Sequence, residues 1–478
     1  MACSQRPNIL LITSDQHRAD CLETAGHPLV QTPSLSRLSQ EGVTFSHAFT
    51  STPSCCPARQ SLMCGQWAET HGGLWNYDLG LPLRDFDQPT WSEALSASGY
   101  RMTHVGKWHV HETRTPLEFA YDRYVPLSAY TPWRQEQGLP ATLPVLGPEV
   151  AGAVHPTAHK FFGGLDPVAL EDSRTHWLAA QAVDVLEEYA EGEQPWHLRL
   201  NFKSPHLPCY PAEPFFSQYA PEDVSPWGSW GDHLSEKPYI QRQQLASWRI
   251  EGMPWAAMSH FVARYLALVS QVDDAVGRVL DTLDALGLAE STIVLYGADH
   301  GGMAGSHGML DKHMVMYDDV LRVPLIMRGP GIARGLTQDA LVSSTVGLAN
   351  TLCELTGIER PETFQGASFA SLLGGPALRG DWPEQIVSTY NGNQFGLFVQ
   401  RMIRTKEMKY VWNPTAVDEL YDLRADPWEM TNLIDDAGYA DVLADLRRRL
   451  LDELTARGDD TVKTTWMQDQ LAHGCKVV

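Results

Sequence analysis

The segment NILLITSDQ, residues 8–16, decides the fold. Ile9, Leu10, Leu11 and Ile12 follow one another without a polar break, so both faces of an extended chain are apolar here. Such a run reads as a buried strand of a layered α/β protein. Polarity returns at once with Asp15 and Gln16.

Working outward, the same arrangement recurs three times. Residues 100–105 (YRMTHV), 197–202 (HLRLNF) and 292–296 (TIVLY) read as strands. Lys107 and His109 follow the first, His206 the second, and Asp299 with His300 the third. Helical patterns lie between them, one over residues 172–189 and a longer one over 259–286. The longer one carries Val262, Leu266, Val269, Val272, Val276, Val279 and Leu283 at helical spacing, with Gly287 where a C-terminal cap belongs. Strands alternating with helices predict a large, mostly parallel sheet flanked by helices. Open sheets of this kind bind ligands beyond the carboxyl ends of their strands. The four polar clusters are therefore expected to meet in one crevice.

The rest of the chain is organised around that sheet. Residues 1–375 are expected to form the catalytic α/β domain and 376–478 a smaller C-terminal α+β domain, with strand-like pieces at 385–390, 395–399 and 408–412 and a charged helix at 440–457. Two stretches, 126–166 and 208–255, read as long irregular excursions; the second carries Trp227, Trp230, Trp248 and Trp255. These tryptophans either shape a binding loop or pin it to the body. The tail, 462–478, is expected with that loop to shape the pocket.

Composition excludes several classes. At 43% hydrophobic and 20% charged residues, the 478-residue chain has the makeup of a folded globular protein. Its formal net charge of −22 repels nucleic acid and anionic membranes, so neither is an expected partner. An anionic substrate would need a local cluster of basic groups against that field. Eight cysteines in so long a chain do not make a disulfide framework. The apolar run Ile9 to Ile12 is too short for a signal segment, and no run approaches the roughly 18 residues of a membrane span. The expected location is the cytoplasm.

The stretch SCCPARQSL, residues 54–62, reads as a loop entering a helix, with Ser54 as cap and Pro57 in the first turn. A cysteine there, beside Arg59, lies in a positive field that suits an anion and an activated nucleophile. The same residues also suit a structural turn with small buried cysteines. The residues Cys55-Cys56-Pro57-Ala58-Arg59, followed by Leu62-Met63-Cys64-Gly65, resemble the sulfatase signature Cys-x-Pro-Ser-Arg-x-x-Leu-x-Thr-Gly. PNILLITSDQ, TPSLSRLSQEGVTFSHAFT, GKWH, SPHLP, ADHGGMAGSHGMLDK, LRVPLIMRGPG and ELYDLRADPWEMTNL look like sulfatase segments in family order, so the likeness runs from Pro7 to about Asp435. Ala58, Cys64 and Gln16 depart from the commonest pattern.

The resemblance implies an alkaline-phosphatase-like fold and a sulfuric ester hydrolase in which Cys55 is oxidised to formylglycine by a formylglycine-generating enzyme. It implies one divalent metal on Asp15, Gln16, Asp299, His300 and the modified Cys55. Hard oxygen donors suit Ca²⁺ or Mg²⁺, and the imidazole suits Mn²⁺. Catalytic roles fall to Cys55, Arg59, Lys107, His109, His206 and Lys312; Lys107, His206, Lys312 and Asn76 would bind the substrate, a small-molecule sulfate ester. His206 would protonate the leaving alcohol and His109 would serve as base. Two other readings stand beside this one. Gln16, Ala58 and His300 lean towards a phosphonate monoester or phosphodiester hydrolase on the same fold, whereas Gly106-Lys107-Trp108-His109 looks like the sulfatase loop. An inactive binding protein would keep Cys55 as a thiol.

Overall fold

The computed structural model describes residues 6–476 apart from 78–83, 145–151, 153, 376–381, 393 and 395. Its centre is an eight-stranded sheet in the order β5-β4-β6-β1-β7-β8-β2-β9. The strands are β1 (Asn8–Asp15), β2 (Val43–Phe45), β4 (Arg101–Gly106), β5 (Arg123–Pro126), β6 (Trp196–Pro205), β7 (Thr292–Ala298), β8 (Leu325–Arg328) and β9 (Leu336–Gln338). β5, β4, β6, β1 and β7 are mutually parallel, and β8 runs against β7 and β2. A two-stranded piece pairs β3 (Ala48–Phe49) with β10 (Val342–Ser343).

The apolar run of β1 does what its pattern requires. Leu10 and Ile12 point into a cluster with Leu198, Leu200, Val294 and Tyr296, covered by the helices Arg174–Ala190 and Trp255–Ala285. Ile9 and Leu11 point the other way, into a cluster with Met63 from the helix Cys55–Cys64 and with Leu348 and Leu352 from the helix Val346–Thr356. Successive side chains alternate across a strand, so a sheet with helices on both faces needs an unbroken apolar run. The long helix ends at Ala285, and Gly287 takes the left-handed conformation (φ 70°) just past it.

The excursions hold more order than the sequence suggests. Helices Tyr130–Glu136 and Pro156–Phe162 lie in the first, and Tyr239–Trp248 in the second. The tryptophans of the second fasten it down. Trp248 is buried, with Trp227, Trp230 and Trp255 packed on the same cluster, and the Trp227 and Trp255 indoles donate to the carbonyls of Ala304 (2.7 Å) and Val224 (2.8 Å).

Beyond the main body, β11 (Ile386–Gly392), β12 (Phe398–Arg404), β13 (Met408–Trp412) and β14 (Glu419–Asp422) form an antiparallel sheet covered by the helix Ala440–Arg457. The second of these strands begins at Phe398, later than its pattern indicates; Phe395 lies outside the described residues. The boundary expected at 375/376 falls at the edge of 376–381, also outside them. The described part of the tail packs on the small sheet. Its helix Thr465–His473 buries Leu471 in the core of the small sheet, and Gln470 accepts from the Trp412 indole at 3.0 Å. Among the described residues no helix is long and apolar enough to cross a membrane.

Candidate active site

The carboxyl ends of β1, β4, β6 and β7 bring the four polar clusters together, as parallel strands must. At their meeting point Asp15, Cys55, Asp299 and His300 each offer one ligand atom, all within 4.8 Å of one another and all buried. The His300 Nε2 lies 3.1 Å from the Cys55 sulfur and 3.7 Å from an oxygen of each aspartate. His300 Nδ1 donates to the Gly301 carbonyl at 2.7 Å, which orients the ring with Nε2 towards the group. Two carboxylates and an imidazole oriented in this way fit a divalent cation.

Cys55 opens the helix Cys55–Cys64. Ser54 precedes it in extended conformation but does not cap it with its side chain. The cap comes from elsewhere. Asn76 Oδ1 accepts from the Cys56 N–H at 2.9 Å and from the Ser54 hydroxyl at 3.3 Å. Asn76 therefore holds the helix end that carries Cys55 in place. Burial pushes the Cys55 thiol up, but Lys107, Lys312, His300 and a hydrogen bond from His109 outweigh it and hold it well below the ordinary thiol range.

Arg59, one turn further on, is 2% exposed and engaged with carboxylates. Its Nε donates to Asp299 at 2.8 Å, an Nη lies 3.5 Å from Asp15, and the other reaches the Lys107 carbonyl at 3.3 Å. The Lys107 ammonium pairs with Asp15. Burial and the Cys55 charge push the Asp15 carboxyl up, yet Lys107, His206 and Arg59 bring it well below the usual range.

On the other side, Lys312 is 1% exposed and donates to His206 Nε2 at 2.8 Å, while His206 Nδ1 faces the Leu207 carbonyl at 2.6 Å. Burial opposes the Lys312 charge, but Asp311, Cys55, Asp15 and Asp299 hold its pKa above the ordinary lysine range. Gln16 bridges the two sides. Its backbone N–H donates to Asp299 at 3.2 Å, its amide N–H to Asp311 at 3.0 Å, and its amide oxygen lies 3.4 Å from the Lys312 ammonium. Gln16 and His109 both adopt left-handed backbone (φ 68° and 50°), strain of the kind that collects at functional sites.

The profile of the Sulfatase family matches residues 7–358. The chain belongs to the sulfatase family. The C-terminal profile of N-sulphoglucosamine sulphohydrolase matches residues 305–456 of this sulfatase. The arylsulfatase of Clostridium perfringens is 27% identical over 484 residues, covering 95% of each chain. The ulvan-active sulfatase of Formosa agariphila is 29% identical, over 95% of this chain and 82% of that one. The phosphonate monoester hydrolase of Agrobacterium radiobacter shares the fold, with a TM-score of 0.79 at 24% identity over 96% of this chain and 97% of that one.

Sequence reasoning missed one residue of this sulfatase's site. Asp311 is 4% exposed, accepts from Gln16 and lies 3.6 Å from the Lys312 ammonium. Its signal was in plain view, because a lysine buried in the crevice needs an adjacent carboxylate. His313, 3.8 Å from Asp311, completes that corner.

Proposed function

We propose that this sulfatase cleaves a sulfate monoester of a small molecule to the alcohol and sulfate, using a nucleophile made from Cys55 by oxidation to formylglycine. The observation that carries the reading is the position of the Cys55 sulfur, grouped with Asp15, Asp299 and His300 within 4.8 Å at a helix N-terminus. When present, the hydrated aldehyde supplies an oxygen nucleophile and a divalent cation, Ca²⁺ with Mn²⁺ or Mg²⁺ as alternatives, supplies Lewis-acid charge.

The protein's own groups do the rest. Arg59 holds Asp15 and Asp299 in position from behind. Lys107 and Lys312 bring positive charge to the transferring group, in a site dry enough for it to count. His206 and Lys312, hydrogen-bonded at 2.8 Å, supply the proton for the departing oxygen. His109, hydrogen-bonded to residue 55, takes the proton that releases sulfate. We also propose a formylglycine-generating enzyme as maturation partner and a cytoplasmic location. The seven described cysteines stand as free thiols, which supports a reducing compartment.

Peptide mass spectrometry on the fragment containing Cys55, from a host with the maturation enzyme, tests the nucleophile. Formylglycine at 55, with turnover lost in Cys55→Ala, is the expected result; an unmodified thiol with full activity overturns it. Rates on matched aryl sulfate and aryl phosphonate esters test the substrate class, and sulfate is expected to be the faster.

A further inference from the structure

The crevice holds more positive charge than the reacting sulfate needs. Lys203 lies on β6 where its pairing with β1 slips between Thr13 and Asp15, and its carbonyl accepts from the His206 N–H at 3.1 Å. Arg174 opens the helix Arg174–Ala190, whose first turn is fastened to the same place by Thr175 and the Ser204 hydroxyl, 3.0 Å apart. Both side chains are partly exposed. Among the described residues neither makes an ion pair or a side-chain hydrogen bond. The nearby Asp166 carboxylate is taken by Arg134, at 2.7 and 3.2 Å, and Asp15 is held by Lys107 and Arg59. Arg174 only faces the Tyr130 ring, 5.5 Å from its centroid. Burial, then Arg174 and Lys107, push the Lys203 ammonium down to about 8.

Two neighbouring cations with no ion pair of their own among the described residues, whose nearest carboxylates are already taken by other basic groups, are an electrostatic cost unless an anion arrives between them. We propose that Arg174 and Lys203 form a second anion-binding position beside the reacting sulfate, so that the preferred substrate carries a further anionic group on its leaving alcohol. The inference rests on the reading of Cys55 as the nucleophile for a sulfate ester.

The test compares carboxyphenyl sulfates with carbamoylphenyl sulfates, substituted at position 3 or 4, which differ in charge at equal size. For at least one isomer the carboxylate is expected to have a kcat/KM tenfold or more above its amide at low salt, with the ratio shrinking as salt rises. In Lys203→Gln and in Arg174→Gln the ratio is expected to fall below threefold, through KM, while Lys203→Arg retains it. A ratio near one for both isomers in the native protein, or one unchanged in both glutamine variants, overturns the proposal. Calorimetric titration of Cys55→Ala with the same esters reads the same preference without turnover. If the converted protein cleaves none of the esters, the sulfatase reading fails, and the affinity ratio still decides whether the second anion position exists.

Discussion

At the scale of single residues, the site depends on geometry as much as on charge. Arg59 meets Asp299, Asp15 and a backbone carbonyl with different nitrogens of one planar group. A lysine keeps the charge but has a single point of contact. Arg59→Lys is therefore expected to lower metal affinity about 10- to 100-fold, read as bound metal by elemental analysis, with kcat/KM falling at least as far. Unchanged metal content would show that the guanidinium does not orient the carboxylates. The sequence displayed Arg59 and its motif but not its direction. The structure turns it to the carboxylates of Asp299 and Asp15, because two buried acids need a counter-charge beside them.

Elements position the residues, and their ends are where sequence reading was weakest. Ser54 has the right identity for a cap, yet Asn76 supplies it from 20 residues beyond Cys56. Capping chemistry is legible locally, whereas a cap delivered by a distant loop is decided by tertiary packing. Asn76→Ala is expected to cost about 1 kcal/mol in stability, measured by urea denaturation; no change in midpoint would argue that the helix end finds water instead. A second expectation concerns pH. His71, on the short helix Ala68–His71, accepts from the Gly73 N–H at 3.1 Å, and His197 sits within β6. Burial pushes each down to about 3. The unfolded chain takes up these protons near pH 6.5 and the folded chain only near 3, so the unfolded state binds more protons in between. The contribution of these two histidines is full above 6.5 and falls as the pH drops towards 3, by up to about 1.4 kcal/mol per pH unit for each. A urea midpoint constant from pH 7 to pH 5 would contradict this.

Across the whole molecule, the small sheet is tied to the body through buried charge. Lys409 on β13 is fully buried and meets Asp318 at 2.6 Å, Glu429 at 2.7 Å and the Met316 carbonyl at 3.0 Å. Lys409→Met leaves the buried Glu429 carboxylate without its cation, whereas Asp318 keeps Arg404 at 2.8 Å, and is expected to destabilise the protein by about 3–5 kcal/mol. Adding Glu429→Gln should recover part of that loss, and denaturation of the single and double variants checks both statements. The sequence by itself determined the sheet, its helices and the crevice: unbroken apolar runs admit only strands covered on both faces, and parallel strands put their following residues at one end. The signature around Cys55 and the order of the motifs determined the family. Only the tertiary structure decided that Asn76 caps, that Arg59 faces the acids, that the tail packs on the small sheet, and that Arg174 stands beside Lys203. Each of these is a pairing across long stretches of chain, and local periodicity carries no information about which distant group will neutralise or cap another.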